Sequence, residues 1–289
     1  MSSYEIITNN TADLPLSWME SNQVDYFVMP CTMNNEVYDK ENMIDVEEFY
    51  KSMREGSMPT TSQINPTIAE EMFRSVLERG KDILYLGFSS GLSGSFNSCR
   101  MAAEELKEEF PDRKIEVIDT LAASMGEGMI TWYAVKMQKE GKSLEETAAW
   151  VKENVLHLCH VFTVDDLYHL YRGGRVSRAA AVLGTLAQIK PMLHVDEEGK
   201  LIPLSKVRGR KKSLSALLTM MEERIGSYKD KNEIIMISHG DCEKDAKTVE
   251  KLVREKFGYE TIMINHIGPT IGAHSGPGTV ALFFLGEYR

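Results

Sequence analysis

Asp82-Ile83-Leu84-Tyr85-Leu86-Gly87-Phe88-Ser89-Ser90-Gly91-Leu92-Ser93-Gly94-Ser95 is an apolar run of strand length that ends in a turn of glycines and serines. Behind it Phe96, Cys99, Ala103, Leu106 and Phe110 recur at helical spacing, and Ile115–Asp119 is another short strand-like run. Strand, turn, helix and strand make a βαβ unit, whose crossover demands parallel pairing. Upstream, residues 4–8 and 24–29 read as strands, and Val46, Phe49, Tyr50 and Met53 as one helix face behind an Asp45 cap. Thr67 and Glu70 have capping-box spacing before a helix carrying Met72, Phe73, Val76 and Leu77, which Gly80 can end. Downstream, helices are expected at Met125–Lys139 and 143–156, the second behind a Ser143/Glu146 capping box.

The second half reads differently. After a strand at 159–164, helical stretches at 166–171 and 177–188 follow one another, and residues 191–195 and 200–207 flank a four-residue turn as a hairpin. Helices at 212–225 and 244–257, with strands at 233–239, 261–267 and 279–285, complete it. The expectation is an α/β protein of two domains: residues 1–160, a mostly parallel α/β sandwich, and residues 161–289, an α+β unit.

The composition narrows the class. With 289 residues, 33 Lys and Arg against 43 Asp and Glu, and 43% hydrophobic residues, the chain carries a net charge of −10 and is globular rather than disordered. Such a balance repels polyanions, so nucleic acid is not an expected partner. The cysteines, Cys31, Cys99, Cys159 and Cys242, are scattered, with neither a C-x-x-C pair for zinc nor a disulfide pattern. No signal-like N-terminus is evident, and no apolar stretch approaches the ~20 residues that span a bilayer. A cytoplasmic protein without metal or resident cofactor is the expectation.

Four segments offer chemistry. The turn at residues 89–95 aims backbone N–H groups, the positive helix end and the hydroxyls of Ser93 and Ser95 at one point, which suits a carboxylate or a phosphate. Thr60-Thr61-Ser62-Gln63, punctuated by Pro59 and Pro66, is read as a polar loop whose hydroxyls and amide can hold an anion without formal charge. Residues 267–278 hold four glycines and two prolines, with His266 just before and His274 inside. Basic residues gather at Arg172, Arg175 and Arg178 and again from Lys206 through Arg208 to Lys212, beside glycines that let an anion approach the backbone.

Taken with Thr11-Ala12-Asp13-Leu14-Pro15, Leu170-Tyr171-Arg172-Gly173-Gly174-Arg175 and Lys190-Pro191, these motifs stand in an order that resembles the DegV family over nearly the whole chain. The resemblance implies a two-domain fold that buries one long-chain fatty acid, its carboxyl group held deep between the domains. It further implies a partner, a separate fatty acid kinase that receives the presented acid and releases acyl phosphate for phospholipid synthesis. Carried onto this sequence, the carboxylate ligands would be Thr61, Ser62, Ser93, the backbone at Gly94, and His266. Arg172, Arg175 and Arg208 would meet the kinase or the phosphate. Where the family usually reads Asp-Ser before Thr-Ala-Asp-Leu-Pro, this chain has Asn9-Asn10, so a role for that acidic position in ordering the first turn is not expected here.

The residues alone agree with a carboxylate ligand, since a buried anion needs donors. The 17 methionines suit a flexible alkyl chain. The alternative is a serine hydrolase acting on acyl esters through Ser93. A nucleophile elbow reads G-x-S-x-G, however, and Gly91-Leu92-Ser93-Gly94-Ser95 has serine in the last place. A nucleotide-binding domain is less favoured still, because neither phosphate-loop fingerprint is present.

Overall fold

The structure, a computed structural model, describes residues 3–178 and 188–289. Its first sheet is wholly parallel, in the order β2 (Asp25–Phe27), β1 (Tyr4–Asn9), β6 (Asp82–Gly87), β7 (Ile115–Asp119). Strand parity decides what each face covers. Ile7, Ile83 and Tyr85 point to α3 (Pro66–Glu78) and α4 (Ser95–Glu109), whereas Ile6, Leu84 and Leu86 point to α5 (Met125–Lys139) and α6 (Leu144–Asn154). α3 begins differently from expectation. Asn65, not Thr67, is its cap, accepting from the Thr67 N–H, because Pro66 takes the first helical position, where a missing N–H costs nothing. Asp45 caps α2 (Val46–Arg54), and the Ser143/Glu146 capping box of α6 forms as expected.

The second sheet runs β10 (Leu201–Arg208), β9 (Ile189–Val195), β8 (Leu158–Thr163), β13 (Val280–Leu285), β11 (Ile235–His239), β12 (Ile262–His266). Only its β11–β12 pair is parallel. Phe162, Leu193 and Phe283 pack toward α5, while Val161, Ile237 and Leu282 pack toward α8 (Arg210–Ile225) and α9 (Glu243–Phe257). Helix α5 is thus buried between two sheets, which makes one apolar core of residues from both halves of the chain. A small antiparallel sheet, β4 (Glu36–Tyr38), β3 (Cys31–Met33) and β5 (Thr60–Thr61), stands beside them. The Thr60–Gln63 loop is therefore partly strand, with Thr61 opposite Cys31.

The remaining short helices are α1 (Leu16–Ser21), α7 (Tyr168–Arg172) and α10 (Pro269–Ser275). The last one lies where a glycine- and proline-shaped loop was expected, and again a proline opens the helix. The helical stretch expected at 177–188 falls mainly on residues 179–187, outside the described residues. Among the described residues, no helix is long and apolar enough to cross a membrane.

Candidate functional site

A cavity of about 340 Å³ opens where β5, the 89–95 turn, α7, α10 and the second sheet meet. Phe162, Val195, Leu201, Ala281 and Phe283 make its walls apolar, and the volume is that of a small-molecule site. Polar groups gather on the side formed by Thr61, Ser62, Ser93, Gly94 and His274. Thr61 Oγ1 and His274 Nε2 are 2.7 Å apart. Burial, helped by the charges of Arg175 and Arg172, holds the His274 pKa down to about 4, so its imidazole is neutral at pH 7. Ser93 Oγ lies 2.9 Å from Ser95 Oγ and accepts from the Ser95 N–H. Fully buried Ser95 in turn accepts from the Ile64 N–H and donates to the Met29 sulfur, which ties three loops together behind Ser93.

Glycines fix how closely these pieces approach. A Cβ on Gly173 would stand 2.1 Å from His274 Nδ1, and one on Gly91 would stand 2.5 Å from the Glu198 carbonyl in the β9–β10 turn. The hairpin is thereby latched onto the serine turn, and Ser89 Oγ donates to the Gly199 carbonyl. Of the three arginines expected to meet the kinase or the phosphate, two are turned to backbone carbonyls of the protein itself. Arg175 lines the cavity and spends Nε and Nη2 on the Leu92 carbonyl, while Arg172 reaches the Ala273 carbonyl at 3.1 Å. Arg208, at the end of edge strand β10, is exposed.

His266 does not join this set. It ends β12, in register with His239 on β11, with the two rings 4.4 Å apart, and it borders a second cavity. Parallel strand geometry sends it there, and α10 carries His274 to the first cavity instead. Among the described residues, Ser93 Oγ has Ser95 and the Met29 sulfur as its hydrogen-bond neighbours rather than an imidazole, which does not support the hydrolase alternative.

Two buried acids escaped the sequence reading. Glu127 is 0% exposed and accepts from Thr8 Oγ1, Asn9 Nδ2, the Asn9 N–H and Thr11 Oγ1 at 2.8–3.2 Å. The acid ordering the first turn therefore comes from α5, and Asn9 is there to donate to it. Asp13, adopting φ +50°, accepts from Ser124 Oγ and the Gly268 N–H, which joins the same turn to the start of α10. Burial raises both carboxyls, Glu127 to about 8 and Asp13 to about 7, against the lowering pull of their hydrogen bonds. One signal was available for Glu127. It lies between Gly126 and Gly128 at the head of a helix, and glycines there mark close approach: Gly128 faces the Ala12 carbonyl and Gly126 the His160 ring.

Two sheets sharing one helix layer, with a largely apolar cavity into which hydroxyl and imidazole side chains are grouped, define the class as a two-sheet α/β protein with a small-molecule cavity. The family model described as "Uncharacterised protein, DegV family" matches residues 3–287. The chain belongs to the DegV family. A DegV domain-containing protein of Clostridium perfringens is 44% identical over 291 residues, covering 100% of this chain and 99% of the relative. A Thermus thermophilus DegV family structure, described for its fatty acid binding, superposes with a TM-score of 0.86 at 30% identity, covering 99% of this chain and 100% of that one. Bacillus subtilis DegV, described as a fatty acid binding protein, gives 0.84 at 26% identity with the same coverage.

Proposed function

We propose that this chain binds one long-chain fatty acid in the first cavity and presents it to a separate fatty acid kinase, which makes the acyl phosphate used in phospholipid synthesis. The carrying observation is the grouping of Thr61, Ser62, Ser93 and His274 in a cavity whose walls are largely apolar, with Arg175 also in its lining. Thr61, Ser62, Ser93 and the Gly94 N–H take the carboxylate oxygens. With its proton on Nε2, neutral His274 donates to Thr61 Oγ1 and so turns the Thr61 hydroxyl proton toward the ligand. In this reading His274 holds the place given to His266 by the family resemblance. The fatty acid binding described for the Thermus thermophilus and Bacillus subtilis proteins supports the same ligand.

Burying about fifteen CH₂ groups at ~0.8 kcal/mol each is worth a gross ~12 kcal/mol, less several for ordering and association, which is consistent with sub-micromolar binding. The test is mass spectrometry of an organic extract of the purified, denatured chain, where one fatty acid per chain is expected. Absence of lipid, together with no fatty acid binding in titration of the delipidated protein, would overturn the reading.

Kinase presentation makes a separate prediction. Arg208 is exposed and contacts nothing in the cavity, so Arg208→Glu should slow phosphorylation of the bound acid several-fold and flatten its salt dependence. Fatty acid affinity should stay within about twofold. An unchanged phosphorylation rate would remove Arg208 from the docking surface. Arg172 and Arg175 are unsuited to this test because they brace the cavity itself.

A further inference from the structure

A second cavity, of about 480 Å³, lies on the other side of a thin wall from the first. The wall is Met29 with Thr270, which border both cavities. It is bound shut: Thr270 Oγ1 donates to the Met29 carbonyl, Asn10 Nδ2 donates to Thr270 Oγ1, and the Met29 N–H donates to Asn10 Oδ1, all at 2.9–3.1 Å. The second cavity is therefore a separate site and not an extension of the first.

The two differ in polarity. The first offers donors. Around the second, no lysine or arginine appears among the described residues that line it, and its polar lining is rich in acceptors. Asp13 presents a buried carboxyl, half-buried Asp39 a carboxylate, and Asn265, with one N–H of its Nδ2 donated to the Asp13 carbonyl, its Oδ1. The ring faces of Tyr26 and Tyr38 add negative π surface, and Lys40 Nζ already stands 5.5 Å from the Tyr26 centroid. The rest is apolar, from Leu14 and Val28 through Ile44 to Val46, with Leu16 and Met43 still 44% and 53% exposed at the rim.

We propose that this cavity is a second ligand site, for a cationic amphiphile: an alkyl chain ending in an ammonium group. The chain lies against the Leu14, Ile44 and Val46 wall, and the head meets Asp39, Asp13 and the tyrosine faces. A second fatty acid is disfavoured there because its carboxylate would meet the Asp13 and Asp39 carboxyl groups, with no lysine or arginine among the described residues that line the cavity.

Calorimetric titration with dodecylamine, below its micellar concentration, tests this on the protein as purified. One saturable dodecylamine per chain is expected, with laurate giving no second site. Asp39→Asn keeps the acceptor that Asp39 offers to the Glu41 and Asn42 N–H groups but removes the charge, and should weaken the amine about tenfold. Val46→Trp fills the cavity and should abolish amine binding while fatty acid content and circular dichroism stay unchanged. Absence of saturable binding, equal binding of laurate at the second site, or unaltered amine affinity in a folded Val46→Trp protein would overturn the proposal. Because the amine titration and the lipid extract are read separately, loss of the fatty acid reading leaves this result interpretable.

Discussion

Gly173→Ala is expected to weaken fatty acid binding about tenfold to a hundredfold, although residue 173 has no side chain to offer the ligand. The new methyl would stand 2.1 Å from His274 Nδ1 and within 3.1 Å of two further ring atoms, so the imidazole must leave its place. Its 2.7 Å contact with Thr61 goes with it, and the Thr61 hydroxyl loses the partner that orients it. One charge-assisted hydrogen bond to the carboxylate, at ~1.5–3 kcal/mol, gives that range. Overpacking should also cost about 1–3 kcal/mol of stability. The neighbouring glycine separates the two effects. Gly174 adopts φ +74° with open space around its Cβ position, so Gly174→Ala should strain the backbone by about 1 kcal/mol and leave affinity nearly untouched. Equal dissociation constants for wild type and a folded Gly173→Ala protein would show that His274 does not position Thr61.

What was legible in the sequence follows the range of the forces involved. The βαβ unit at residues 82–119 could be read because strand alternation, a glycine turn and helical spacing are local. The serine turn and the Thr61 segment were recognisable as polar clusters for the same reason. That β12 takes His266 to the second cavity while α10 takes His274 to the first was not legible. It depends on α10 forming inside a segment whose four glycines and two prolines read as loop, and on β12 pairing in parallel with β11. Asn65-Pro66-Thr67 offers two caps for one helix, and the choice falls on Asn65 because proline fits the first helical position. The roles of Arg172 and Arg175 were hidden because their partners are carbonyls more than eighty residues away in the chain, at Ala273 and Leu92. The partners of Glu127 were hidden for a related reason: its four donors come from β1 and the turn after it, while the glutamate itself lies on α5.

That last cluster carries a large expected stability effect. Glu127→Ala leaves the Thr11 hydroxyl, the Asn9 side-chain amide and the Asn9 backbone N–H without their acceptor in a place where water is excluded, and leaves the Thr8 hydroxyl only the Leu86 carbonyl. The expected cost is about 3–5 kcal/mol, or roughly 10 °C in melting temperature for a chain of this size. Glu127→Gln should cost far less. Its amide oxygen can still accept from Thr8 and Asn9, and the Thr11 hydroxyl, which is an acceptor as well as a donor, can turn to receive the amide N–H. The two variants also part with wild type over pH. Burial outweighs the hydrogen bonds and raises the folded carboxyl to about 8 from an ordinary 4.5, so the folded state holds that proton more tightly than the unfolded chain. The stability that this proton confers is complete below about pH 4.5 and is lost as pH rises through about 8. Wild type should therefore lose stability across that window, and Glu127→Gln should lose less, with the remaining slope belonging in part to Asp13, which titrates near 7. Denaturant unfolding at pH 5 and pH 8.5 measures the difference. If the glutamine protein keeps the full wild-type slope, Glu127 is not the titrating group, and if the alanine protein unfolds within about 1 kcal/mol of wild type, the first turn does not depend on it.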